Sequence, residues 1–237
     1  MLIARCLCGA EIGTVETHNE VRVIRCACGV ARLLTLANAS EYEQWYESGE
    51  YHEATSRHPD CVPYVERYQH DLRVANLRVA RYRRVLNGEW RDGMRALDVG
   101  CANGAFVDYL NAFGVESYGI DPHPLQTGKS FAGTTAKMPD SLSDLRFDLI
   151  TYHDVLEHLV DPMRELDRAR ALMNPSGTLI VDVPDVRHPD GQHHFKAEHF
   201  WYLTPTALAK LLFCSGFEPF ALDVPIPGKM VAYGRAK

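Results

Sequence analysis

The stretch Ala96-Leu97-Asp98-Val99-Gly100-Cys101-Ala102-Asn103-Gly104 limits what this chain can fold into more than any other. A strand-like run from Met94 to Val99 breaks at Gly100, and a helical pattern follows from Ala105 to Phe113, ended by Gly114. A second strand, Val115 to Ile120, then delivers Asp121, 21 residues after Gly100. A strand that turns on glycines into a helix, with an acid at the next strand's tip, is how a parallel α/β sheet with a ligand at its carboxyl edge begins.

The remaining pattern agrees with that class. Phe147 to Tyr152 is an apolar strand followed by helical turns through Leu159. Pro162 opens a helix at its favoured first position, with Asp161 as cap. Asn174-Pro175-Ser176-Gly177 reads as a turn before a buried strand, Thr178 to Val183. Thr204-Pro205 starts a helix that runs to Cys214, with Gly216 at its end. Phe217 to Val224 and Lys229 to Gly234 form a closing hairpin around Pro225, Pro227 and Gly228. Strands alternating with helices imply an α/β, doubly wound, mainly parallel sheet over residues 91–237.

Two zones precede it. Residues 1–40 are short β-like stretches carrying Cys6-Leu7-Cys8-Gly9 and Cys26-Ala27-Cys28-Gly29. Four thiolates on two glycine turns suit a tetrahedral zinc ion, which holds together a segment too small for its own core, although the usual knuckle has two residues between cysteines and this one has one. Reduced thiols are the other reading. Residues 41–90 begin with an acidic, aromatic stretch that would lid the site with Tyr46, Tyr51 or His52 facing substrate, the alternative being a structural helix. A long helix follows Pro63, with Val65, Tyr68, Leu72, Ala75, Val79, Tyr82 and Leu86 on one face and Asn87-Gly88 at its end. Its arginines are either a solvated face or a grip on an anionic substrate group.

Composition narrows the setting. No apolar run approaches the ~18 residues of a membrane helix, and Met1 to Arg5 leads into Cys6 without the apolar core of a signal peptide. A cytoplasmic, reducing location is expected, where cysteines serve as thiols or metal ligands. A net charge of −6 argues against a nucleic-acid coat.

Charge also sorts the nucleotide ligands that such a loop can hold. Asp98 stands two residues before the first glycine, where a carboxylate repels a pyrophosphate but suits the ammonium of S-adenosylmethionine. The loop reads G-x-A-x-G, one glycine short of a good pyrophosphate cradle. A nicotinamide oxidoreductase is therefore the weaker reading.

On these motifs residues 94–223 resemble the class I S-adenosylmethionine-dependent methyltransferases, within the broad family that includes the ubiquinone-type O-methyltransferases. Leu97-Asp98-Val99-Gly100-Cys101 corresponds to the family's first motif and Tyr118-Gly119-Ile120-Asp121 to its second. Phe147-Asp148-Leu149-Ile150-Thr151 and Asp154-Val155-Leu156-Glu157-His158 correspond to its fourth-strand block. The resemblance implies a seven-stranded Rossmann-like sheet. It implies that Gly100, Cys101, Ala102 and Gly104 pack on the cofactor, with Asp98 at its methionyl end. Asp121, next to Pro122, would accept both ribose hydroxyls. Backbone groups around Lys137 and Met138 would serve the adenine, and His153 would line the methionine pocket or move a proton.

Block His193 to Pro205 is similar to a motif of sugar C-methyltransferases and related O-methyltransferases, in which a Glu-His pair precedes an aromatic and a capped helix. Carried over, Glu198 orients His199, and His199 is the general base; histidine accepts a proton near neutral pH. Lys196 stands where the sugar C-methyltransferases have a tyrosine, and their further carboxy-terminal domain has no counterpart in this sequence. The expectation is therefore O-methylation of a small hydroxylated acceptor such as a sugar, nucleotide-sugar or natural-product intermediate, with the oligomeric state left open and a homodimer as one option. Carbon methylation, nucleic-acid or protein methylation and a non-catalytic partner subunit are the rivals.

Overall fold

The computed structural model describes residues 6–7, 13–18, 20–34, 44–45, 48, 50, 66–88, 90–91, 93–123, 129–188, 196 and 198–237. Cys8, Cys61, Tyr46, Tyr51, His52, His193 and His194 lie outside them. Contacts divide the chain into two compact units: Met1–Ala37 with Tyr152–Ala171 and Pro175–Lys237, and Asn38–Thr151 with Leu172–Asn174.

The second of these units contains the glycine loop. Helix α1 (Tyr68–Leu86) buries Ala75, Val79, Tyr82 and Leu86, spaced by three and four residues as one helical face requires. It ends at Asn87, whose left-handed conformation (φ 34°) stops the helix where Asn-Gly predicts. Helix α2 (Ala105–Ala112) packs on it, with Tyr82 edge-on to Phe106 at 6.3 Å between ring centres. Strands β4 (Arg95–Val99), β5 (Glu116–Asp121) and β6 (Ser130–Ala132) pair in parallel, and α3 (Asp140–Ser143) is a single turn. All of β4 beyond Arg95 is buried, as a strand covered on both faces must be.

Strand β7 (Phe147–His153) leads into the other unit, where a 3-10 turn (Leu156–His158) precedes helix α4 (Pro162–Ala171). Asp161 caps α4 as its sequence predicts, accepting the Arg164 N–H at 3.0 Å. Helix α5 (Pro205–Cys214) is capped by Thr204, which accepts the Ala207 N–H at 3.3 Å. Strands β10 (Phe217–Asp223) and β11 (Lys229–Ala236) form the expected hairpin, and β11 also runs antiparallel to β8 (Met173–Pro184). The sheet has seven strands in the order β10-β11-β8-β7-β4-β5-β6. This is the Rossmann-like α/β architecture anticipated, with an antiparallel edge.

One expectation is corrected. Asn174 to Gly177 is not a separate turn: β8 starts at Met173 and runs through it. Ser176 takes a left-handed backbone (φ 61°) within the strand, and Arg235 donates to its carbonyl oxygen at 3.1 Å, so the Pro-Ser-Gly residues bend the strand without ending it.

The amino-terminal residues form strands β1 (Thr14–His18), β2 (Val21–Arg25) and β3 (Ala31–Leu33), and β3 pairs with β9 (Trp201–Tyr202) to make a four-stranded sheet. Val23, Ala31, Val186 and Tyr202 form its small core. The cysteine segment is thus a part of this unit's hydrogen-bonded structure.

Candidate functional site

The loop after β4 is built from backbone conformations that glycine adopts readily. Gly100 (φ 76°) and Gly104 (φ 73°) are left-handed, and so is Ala102 (φ 46°), where the side chain makes the conformation costlier. The Gly100 N–H donates to the Ile120 carbonyl at 2.8 Å, which ties the loop to the tip of β5. Asp121 holds the loop from its side chain: Oδ2 accepts the Ala102 N–H at 3.0 Å and Oδ1 accepts the His123 N–H at 2.8 Å. Asp98 is buried and accepts the Thr151 hydroxyl at 2.7 Å.

Cys101 is buried between these acids. Burial pushes its thiol well above the usual range, and the Asp98 and Asp121 carboxylates push it further, so it remains S–H. Its sulfur covers Gly119, where a Cβ would lie 2.6 Å from Sγ. Asn103 accepts the Ala105 N–H at 3.2 Å and donates to Asp71 of α1 at 2.8 Å, fixing the start of α2.

Lys137 and Met138 follow a tight turn beside this loop. The Lys137 N–H donates to the Thr134 carbonyl at 3.0 Å, and the Gly133 N–H donates to the Asp121 carbonyl at 3.0 Å. One unit therefore gathers Asp98, Gly100, Cys101, Ala102, Gly104, Asp121, Pro122, Lys137 and Met138. Of the residues nominated from sequence for the cofactor, only His153, the last residue of β7, belongs to the other unit. Gly119, Thr151, Asn103 and Asp71 were not nominated: Gly119 lies against Cys101 and the Thr151 hydroxyl donates to Asp98, while Asn103 and Asp71 bond each other, all between residues distant in sequence.

The other unit brings together a second cluster. One ligand atom each of Glu157, His158 and His199 lies within 4.8 Å of the others. The His158 and His199 rings meet edge to face with centres 4.6 Å apart, and Tyr202 lies 6.2 Å from His199. The Phe200 N–H donates to the Glu157 carbonyl at 2.7 Å, which joins the 3-10 turn to the His199 segment. Desolvation pulls His158 down to about 4, so the ring is neutral and its Nδ1–H donates to the Glu198 carbonyl at 2.9 Å. Burial pushes Glu157 up to about 8, with Asp182 adding to the effect. The Glu198 carboxylate pairs with Lys196 at 3.6 Å, and the carboxylate that the structure brings beside His199 is that of Glu157.

The sulfurs of Cys6, Cys26 and Cys28 also lie within 4.8 Å of one another, with Cys6 and Cys28 at 3.5 Å. Tetrahedral zinc with Zn–S of ~2.3 Å spaces its sulfurs about 3.8 Å apart, so the donor set fits. Arg32 supports the fit. It is buried, its Nε and Nη1 have no hydrogen-bond partner among the described residues, and Cys6 is the charge that favours its cation. A buried cation needs a counter-charge, which metal-bound thiolates supply.

A family model described as a methyltransferase domain matches residues 64–222. A ubiquinone biosynthesis O-methyltransferase of Cereibacter sphaeroides is 27 % identical over 154 residues, 54 % of this chain. The match spans 62 % of that relative's length. Among solved structures, the 1,6-didemethyltoxoflavin-N1-methyltransferase of Burkholderia thailandensis, with 1,6-didemethyltoxoflavin and S-adenosylhomocysteine bound, superposes with a TM-score of 0.64 at 17 % identity. That likeness covers 96 % of this chain and 100 % of the other. The magnesium protoporphyrin IX methyltransferase of Synechocystis gives 0.55 at 14 % identity, over 85 % of this chain and 100 % of the other. With the motif loop, the acid at the tip of β5 and the sheet order all in place, the chain belongs to the methyltransferase-domain family and has the class I S-adenosylmethionine-dependent methyltransferase fold.

Proposed function

We propose that this chain transfers the methyl group of S-adenosylmethionine to a hydroxyl of a small acceptor, such as a sugar, a nucleotide-sugar or a natural-product intermediate. The observation that carries the reading is the pair of buried carboxylates, Asp98 and Asp121, around the left-handed turn. Negative charge at that mouth suits a cationic amino-acid tail and neutral ribose, and opposes a pyrophosphate. The relative is named a ubiquinone biosynthesis O-methyltransferase, and the toxoflavin neighbour holds S-adenosylhomocysteine, which supports the same class.

S-adenosylmethionine supplies a methyl group on a sulfonium that leaves as a neutral thioether. The protein's task is to hold and orient the partners and to take one proton. Asp98 binds the ammonium. Asp121 accepts one backbone N–H on each oxygen, which fixes its carboxylate at the strand tip where it would accept the ribose hydroxyls. Backbone groups of Gly100, Cys101, Ala102, Gly104 and Pro122, and those of Lys137 and Met138, line the nucleoside, while His153 lines its methionine end. His199 takes the proton as the acceptor oxygen attacks, with Glu198 on the same segment. Cys6, Cys8, Cys26 and Cys28 hold a structural zinc ion that anchors residues 1–40.

Calorimetry with S-adenosylhomocysteine tests the binding half. Asp121→Asn is expected to weaken binding about 10- to 100-fold, the worth of a hydrogen bond to a charged group. A folded wild-type chain that takes up no S-adenosylhomocysteine would end the reading. Radiolabelled methyl transfer to a panel of hydroxylated sugars and phenols tests the catalytic half, with His199→Asn expected to lose at least 100-fold in rate.

A further inference from the structure

The 3-10 turn after β7 carries a carboxylate that the mechanism above does not use. Glu157 is buried, and neither of its carboxylate oxygens has a hydrogen-bond partner among the described residues. Buried acids are rarely left so, and an exception calls for a use. The use lies beside it: its carboxylate shares a cluster with ring nitrogens of His158 and His199. His158 is already committed, because its Nδ1–H donates to the Glu198 carbonyl. The Glu198 carboxylate lies 3.6 Å from the Lys196 ammonium. His199 is the other ring within reach of Glu157.

We propose that Glu157 is the positioning residue of His199: its carboxylate hydrogen-bonds one ring nitrogen, leaves the other for the acceptor and balances the imidazolium formed when His199 takes the acceptor's proton. The inference rests on the reading of His199 as base. In the step itself the acceptor O–H bond breaks, its proton passes to His199 and the oxygen electron pair forms the bond to the methyl carbon. In the same displacement the carbon–sulfur bond breaks and its electron pair returns to sulfur. Separations up to 4.8 Å exceed a hydrogen bond, and catalytic hydrogen bonds commonly shorten when substrate is bound.

The surroundings define what else acts on the pair. Asp182 of β8 faces Glu157, and Lys229 of β11 lies 4.0 Å from Asp182 and pairs with Asp154. His158 and Tyr202 face His199, with Lys196 and Glu198 on its own segment. Two groups this close release their protons as a pair, and the base-competent form is the one that holds none.

The test needs no acceptor. Full-length chain labelled with 15N-histidine is titrated by two-bond proton–nitrogen spectra, with His199→Asn assigning the His199 signals. In Glu157→Gln the His199 midpoint is expected to fall by at least one pH unit, and the nitrogen shifts to report a changed tautomer. Should Glu157→Gln fail to fold or to bind S-adenosylhomocysteine, Glu157→Asp, which withdraws the carboxylate by one methylene, is expected to lower the midpoint by a smaller step. An unmoved midpoint and tautomer in a folded variant overturns the proposal. Loss of the base reading would show differently, as methyl transfer undiminished in His199→Asn.

Discussion

At the residue scale, the loop's geometry depends on a glycine outside it. Gly119 sits in mid-strand, and its need for a bare Cα is steric: an added Cβ would lie 2.6 Å from Cys101 Sγ, 2.7 Å from Cys101 Cβ and 2.9 Å from Val107 Cγ2. Cys101 cannot swing away, because its own N–H and that of Gly100 both bond the Ile120 carbonyl. Gly119→Ala is expected to cost about 1–3 kcal/mol, as overpacking of a close contact does. Urea unfolding should show a lower midpoint with an unchanged slope, and an unshifted midpoint would mean that the loop relaxes freely. The loop and Asp121 were legible in sequence because each is demanded locally, by a left-handed turn or a strand tip. Glu157 beside His199 was not legible, because that contact exists only once the Phe200 N–H has docked on the Glu157 carbonyl.

At the scale of elements, punctuation governed what could be read. Asp161-Pro162 and Thr204-Pro205 announce helices because cap and proline act within one turn, and both caps are made. Strands of two or three residues, β6 and β9, carry too few side chains to show a period, and only their neighbours make them strands. The pairing of β3 with β9 makes the cysteine segment part of the sheet that carries Trp201 and Tyr202, close in sequence to His199. Loss of the proposed zinc should therefore be felt beyond residues 1–40. Chelation, or Cys26→Ser, is expected to lower the thermal midpoint by several degrees, equivalent to at least 1 kcal/mol. Metal analysis should find one zinc per chain before treatment; a chain purified without metal and indifferent to chelator would refute the thiolate site.

For the whole molecule, these local arrangements combine into a dependence of stability on pH. Glu16 is held down at about 2, chiefly by the hydrogen bond from Arg25 and then by that from His18, so its contribution is present above pH 4.5 and lost as pH falls towards 2. His158, lowered to about 4 by desolvation, is neutral in the fold while the unfolded chain takes up a proton below about 6.5, so stability falls as pH drops from 6.5 to 4. Glu157 runs the other way. Raised to about 8, it keeps its proton in the fold while the unfolded chain has released its own above about 4.5, so stability falls as pH rises from 4.5 to 8. Between 4.5 and 6.5 the two slopes oppose each other; between 6.5 and 8 Glu157 acts without that opposition. Urea unfolding of the wild type across pH 6.5 to 8 should therefore show a decline that Glu157→Gln abolishes, amounting to about 2 kcal/mol or less at ~1.4 kcal/mol per pH unit. If the two proteins kept parallel profiles through that window, Glu157 would be ionised in the fold at neutral pH. The cluster around His199 would then carry a standing negative charge in place of the proton on Glu157.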